Sequence, residues 1–206
     1  MQTRNFLRAC VLLLCVGLGG CGDDVTQLQP LAADAVVLAY GDSLTFGSGA
    51  DPATSYPAVL QRLIGRTVIS SGVPGEVSAD GLARLPGVLA ENPPKIVILC
   101  HGGNDLLRKL DPATTEQNLR SMVALVRQAG AQVLLVGVPK PSLILADAPF
   151  YEQLATSLQV PLLGGQLVEI LGDRDLKADA AHPNARGYEQ LAQALAELLR
   201  QTGAIQ

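Results

Sequence analysis

Tryptophan is absent from this chain, and aromatic residues make up only 3% of its 206 positions. The core must therefore be built from Leu, Val, Ile and Ala, and the apolar share of 48% is ample for one. Charged residues are sparse at 17%, with a net charge of −4. No basic stripe stands out, so a nucleic-acid footprint is not expected. Only two histidines occur, His101 and His182. Two imidazoles give a metal site little to draw on, and downstream of residue 21 only Cys100 remains, so no Cys pair is expected in the domain. No phosphate-binding G-x-x-x-x-G-K-[ST] is present, and no G-x-G-x-x-G follows an apolar run. The length suits one α/β domain rather than two.

The first twenty residues have a composition of their own. Arg4 and Arg8 are the only charges before Asp23. An apolar run from Ala9 to Leu18 follows and ends in Gly19-Gly20. It is short for a bilayer span and is laid out like a secretory signal. Its end, Leu18-Gly19-Gly20-Cys21, resembles the bacterial lipobox. That resemblance implies cleavage before Cys21 and acylation of its thiol, hence a lipid anchor on the cell envelope. Ordinary secretion, with Cys21 as a spare thiol, is the alternative. The expected layout is a signal peptide over 1–20, a lipidated tether over 21–33 and a domain over 34–206. Loss of the signal would remove Cys10 and Cys15, leaving Cys100 as a buried, unpaired thiol. It would also remove both arginines and make the chain more acidic.

Downstream, apolar runs alternate with helical spacing. Strands are expected at Ala35–Tyr40, Thr67–Ser70, Ile96–Cys100, Val133–Val138 and Val160–Leu163. Helices are expected at Tyr56–Ile64, Ala79–Ala90, Thr114–Ala129, Phe150–Leu158 and from Ala185 to Thr202. The strand runs are continuously apolar, as in strands covered on both faces. Such alternation points to a parallel sheet with helices on both sides, whose ligands sit at the carboxyl ends of the strands.

Three of those ends carry polar, glycine-rich loops: Gly41-Asp42-Ser43, Ser71-Gly72-Val73-Pro74-Gly75-Glu76 and His101-Gly102-Gly103-Asn104-Asp105. Ser43 is a candidate nucleophile and needs a base to act at neutral pH. His182, with Asp179 three residues before it, can supply base and orienting acid from one short turn. Asn184 can cap the helix that follows. His101 has no comparable partner and is the weaker candidate. Negative charge developing on a substrate oxygen could be met by the N–H of Ser43, the N–H of Gly75 and the side-chain amide of Asn104. The elbow G-x-S-x-G of α/β-hydrolases fails, because Thr45 stands at the second glycine.

These blocks resemble the GDSL, or SGNH, hydrolase superfamily. Gly41-Asp42-Ser43-Leu44 is similar to its first block, Gly75 to the second-block glycine, Gly102-Gly103-Asn104-Asp105 to the third and Asp179-Ala180-Ala181-His182-Pro183 to the fifth. The stretch Ser78–Pro86 further resembles the bacterial thioesterase, lysophospholipase and arylesterase branch. Glu76 departs from an expected Asp, and His101 from a common acidic residue. The resemblance implies a flavodoxin-like, three-layer α/β/α fold with a mostly five-stranded parallel sheet. It implies ester hydrolysis through an acyl-serine, without metal or organic cofactor, by Ser43, Asp179 and His182. Ser43, Gly75 and Asn104 would form the oxyanion hole. The expected partners are a small ester and, through Cys21, a membrane; a monomer is expected. Leu106–Pro112 and Lys140–Ala148 are candidate acyl-binding walls. Two further readings stay open: a carbohydrate O-acetyl esterase of envelope glycans, and an idle lipoprotein that binds acyl ligands.

Overall fold

Five short strands hydrogen-bond side by side in one direction, and their order places the strand that carries the serine loop inside the sheet, flanked on both sides. The computed structural model describes residues 26–206. The expected signal peptide and Cys21 lie outside them. The strands are β1 (Val37–Gly41), β2 (Val68–Gly72), β3 (Ile96–Cys100) and β4 (Gln132–Val136). A hairpin, β5 (Pro139–Lys140) with β6 (Ala146–Asp147), precedes the last sheet strand, β7 (Leu162–Leu163). The sheet order is β2-β1-β3-β4-β7, parallel throughout. β1 and β3 are buried along their whole length. β2 is an edge strand and only partly covered, which suits Ser70 and Ser71 within it.

The helices are α1 (Ser43–Phe46), α2 (Tyr56–Ile64), α3 (Ser78–Glu91), α4 (Gly103–Leu107), α5 (Pro112–Gln128), α6 (Phe150–Leu158), α7 (Gln166–Gly172) and α8 (Ala185–Gln201). α8 packs on α2 and α7, while α5 packs on α3 and α6, so the sheet is sandwiched between two helical layers. The stripe on α8 explains its placement: Tyr188, Leu191, Leu195, Leu198 and Leu199 are all buried. Each such side chain contributes about 1.5–3 kcal/mol on leaving water. Asn184 caps this helix, its Oδ1 accepting from the N–H groups of Arg186 and Gly187. Cys100 is buried and unpaired.

The expected tether does not extend to residue 33. Leu28 and Leu31 donate backbone hydrogen bonds to Thr202 and Ala204, both at 2.8 Å. Gln29 and Gln132 exchange two more, and the Arg66 guanidinium donates to the carbonyls of Leu31 and Ala32. Leu31 is buried. Residues 28–32 therefore belong to the folded body. Their partners sit beyond the end of α8 and beside the starts of β2 and β4, at the edge of the sheet opposite the serine loop.

Candidate active site

Gly41 lies so close to β3 that an added Cβ would stand 2.0 Å from the Cys100 carbonyl oxygen. Only glycine lets the strand run hard against its neighbour and then turn sharply. The turn is fastened by Asp42, whose Oδ1 accepts from the Leu44 N–H at 3.0 Å and caps α1. Ser43 is thus the first residue of that short helix. Burial pushes the Asp42 carboxyl up, partly offset by His101 and by the Leu44 hydrogen bond.

The Ser43 hydroxyl meets His182, with Oγ and Nε2 3.0 Å apart. The other ring nitrogen, Nδ1, lies 2.8 Å and 3.0 Å from the two carboxylate oxygens of Asp179. A proton on Nδ1 satisfies that carboxylate and leaves Nε2 as an acceptor facing the hydroxyl. The Asp179–His182 pair is formed locally. Asp179 Oδ1 also accepts from the N–H groups of Ala181 and His182, so the carboxylate holds its own loop. Partial burial would raise the Asp179 carboxyl. Hydrogen bonds from the His182 ring and the Ala181 N–H outweigh that and keep it below the usual range. The Tyr188 hydroxyl on α8 donates to the Ser48 carbonyl, tying the histidine side of the site to the serine side.

Gly75 adopts φ +80°, in the left-handed region that favours glycine. The Asn104 amide donates to the Glu76 carbonyl at 3.0 Å and to Asp42 Oδ2 at 3.3 Å. Ser43, Gly75, Asn104 and His182 line one cavity of about 440 Å³. The Ser43 hydroxyl, the His182 imidazole, Gly75 and Asn104 therefore border a single space.

Leu107, from one expected wall, lines this cavity with Lys140, Pro141 and Leu145 from the other. Leu143 and Ile144 are not among its lining residues and are fully or largely exposed. Leu171 on α7 also lines the cavity. No element is expected over α7 from the sequence, and no role is marked there for Leu171.

His101 is fully buried. Its Nδ1 accepts the Gly102 N–H at 2.9 Å, so the ring proton sits on Nε2, 3.1 Å from Glu76 Oε2. Arg84 grips both oxygens of Glu76 at 2.8 Å and donates to the Ser71 hydroxyl. Burial alone would raise the Glu76 carboxyl, but the hydrogen bonds from Arg84 and His101 hold it down at about 2. This cluster went unforeseen, although Glu76 and His101 had stood out as departures from the family pattern. Asp105 is buried and takes the N–H and hydroxyl of Ser78, linking α4 to α3. Among the described residues, no three His, Cys, Asp or Glu side chains gather as a metal site requires.

A parallel sheet with a serine at the carboxyl end of an inner strand, backed by a local Asp-x-x-His, defines a hydrolase class distinct from the G-x-S-x-G enzymes. The model of the GDSL-like lipase/acylhydrolase family matches residues 39–190, and the chain belongs to that family. It is 36% identical over 177 residues to "Esterase TesA" of Pseudomonas aeruginosa, covering 81% of this chain and 88% of the relative. It is 33% identical to "Thioesterase 1/protease 1/lysophospholipase L1" of Escherichia coli, covering 82% and 85%. Among solved structures, TesA superposes with a TM-score of 0.73 at 31% identity, over 81% of this chain and 99% of that one. The SGNH-hydrolase esterase AlinE4 gives 0.65 at 35%, over 82% and 97%.

Proposed function

We infer that the chain is a serine esterase that hydrolyses carboxylic esters, with Ser43 as nucleophile. The observation that carries the reading is the unbroken relay from Asp179 through His182 to Ser43 at a cavity that Gly75 and Asn104 also line. Ser43 Oγ attacks the ester carbonyl carbon while its proton passes to His182 Nε2. The carbonyl oxygen becomes an oxyanion and is met by the N–H of Ser43, the N–H of Gly75 and the Asn104 amide. Asp179 stabilises the imidazolium. Collapse breaks the ester C–O bond, and the leaving alkoxide takes the proton from His182. Water then repeats the sequence on the acyl-serine, releasing the acid and restoring the Ser43 hydroxyl. A thioester would follow the same steps with a thiol leaving.

The apolar wall of Leu107, Leu145 and Leu171 supports acyl esters, including lysophospholipids, over acetylated glycans. A p-nitrophenyl ester series from acetyl to palmitoyl tests this. Turnover of longer chains, lost in Ser43→Ala, is the expected result. Activity on acetate alone would favour the glycan reading. Failure of a fluorophosphonate to label Ser43 would favour the idle, ligand-binding one.

The lipobox-like Cys21 supports a lipid-anchored enzyme of the cell envelope, with two or more acyl chains for stable attachment. Only five peptide steps separate Cys21 from Thr26, a span of at most ~17 Å. A domain of this size has a radius of gyration of about 16 Å. Because residues 28–32 dock at the edge opposite the cavity, such an anchor would leave the mouth facing away from its own bilayer. Palmitate labelling of the parent and of Cys21→Ser tests the anchor.

A further inference from the structure

Beside the cavity stand exposed apolar side chains, of which only Leu107 lines it. Leu143 and Ile144, at the tip of the β5–β6 hairpin, are 107% and 84% exposed. Across from them Leu107 is 55% exposed at the end of α4, and Leu110 is 43% exposed just beyond it. α4 packs against β5, so the two groups share one rim. Isolated exposed leucines need no explanation, but four large apolar side chains on two adjacent segments that both border one cavity do.

Charge selects the occupant. Arg108, Lys109 and Lys140 are exposed and interleaved with these side chains. Residues 106–110 and 139–146 contain no carboxylate, in a chain whose net charge is −4. The nearest exposed acid in sequence, Asp111, is engaged in capping α5. Arg108 also donates to the Gly75 carbonyl, which fixes this cationic segment beside the cavity. Apolar tips ringed by cations suit an interface of acyl chains below anionic headgroups. Each exposed Lys or Arg adds attraction there, and long cationic stems can lie along the acyl boundary.

We propose that this rim docks on an anionic lipid surface, with Leu143 and Ile144 inserted, so that an ester can pass from the surface into the cavity. The surface meets the mouth side, opposite the edge that holds residues 28–32. The inference does not depend on acylation of Cys21.

The absence of tryptophan makes the test site-specific. Ile144→Trp in the full chain places the only indole on the hairpin tip, and Leu63→Trp places it on α2 as a control, at a site 41% exposed. Phosphatidylglycerol vesicles should blue-shift the emission of the hairpin indole, and brominated acyl chains should quench it. Phosphatidylcholine vesicles should do so more weakly, and salt should reverse the difference. The control emission should not move. An unmoved hairpin probe, or equal shifts at both sites, would overturn the proposal. So would a blue shift that grows with protein concentration without vesicles, which would make a second copy the occupant. In a second arm, Leu143→Ser with Ile144→Ser should keep hydrolysis of soluble p-nitrophenyl acetate. It should lose roughly tenfold or more on a long-chain ester held in phosphatidylglycerol vesicles. Equal loss on both substrates would assign the hairpin to the cavity instead. If the parent hydrolyses neither ester, the esterase reading fails, while the fluorescence still decides the docking surface.

Discussion

His101 and His182 each hold a carboxylate against a ring nitrogen, at 3.1 Å and 2.8 Å, yet only His182 is placed to act on Ser43. The difference lies in the second nitrogen. Nε2 of His182 faces the Ser43 hydroxyl, whereas Nδ1 of His101 is filled by the Gly102 N–H. His182 sits on a partly open loop beside a half-exposed Asp179. His101 is sealed under the sheet edge with Glu76 and Arg84 around it. A carboxylate–histidine pair becomes a base only when its free nitrogen meets a nucleophile. When both nitrogens are spent on the fold, the same pair is a structural pin.

Breaking the His182 pair should have the largest effect. His182→Ala is expected to lower kcat on p-nitrophenyl esters by about ten-thousandfold or more, with little change in thermal midpoint. Asn104→Ala should come next, costing about a hundred- to a thousandfold in kcat with KM nearly constant, since its amide acts on charge present only in the transition state. His101→Ala should reverse the pattern. Turnover should stay within about tenfold of the parent, while denaturant unfolding should show a loss of about 2–4 kcal/mol from the vacated space and the unpartnered Gly102 N–H. An inactive but stable His101→Ala would break the comparison outright.

The smallest effect is one of pH. The Glu76 carboxyl is held at about 2 in the fold, below its ordinary range. The unfolded chain therefore takes up the proton first, and the stability that this group provides is complete above the ordinary carboxylate range. It fades as pH falls from there toward about 2. Thermal midpoints of Glu76→Gln should decline less steeply than those of the parent across that window. Parallel declines would mean that the Arg84 and His101 contacts do not hold the carboxylate.

Much of this was legible along the chain. Apolar runs marked β1, β3 and β4 because strands covered on both faces must be apolar throughout. Ser43, Asp179 and His182 were legible because a nucleophile at a strand end and an acid three residues from an imidazole are local patterns. Gly75 and Asn104 were legible as possible oxyanion donors in the glycine-rich strand-end loops, and the family resemblance singled them out within those loops. The Glu76–Arg84–His101 cluster was hidden, because its members come from two loops and a helix whose distances depend on sheet order. The β5–β6 hairpin was hidden for another reason: Lys140–Ala148 has too few alternating residues to read as strands.

The sequence by itself determined the alternation of strands and helices, the local acid–imidazole pair and the scarcity of imidazole that made His182 the leading base. These follow from periodicity and short-range chemistry, which need no knowledge of distant neighbours. Only the tertiary structure decided that His101 has no free nitrogen, that residues 28–32 join the fold, and that Leu143 and Ile144 stand at the rim with three cations. Those facts depend on which segments the parallel sheet brings together, and strand order is a property of the packed core rather than of any one stretch of chain.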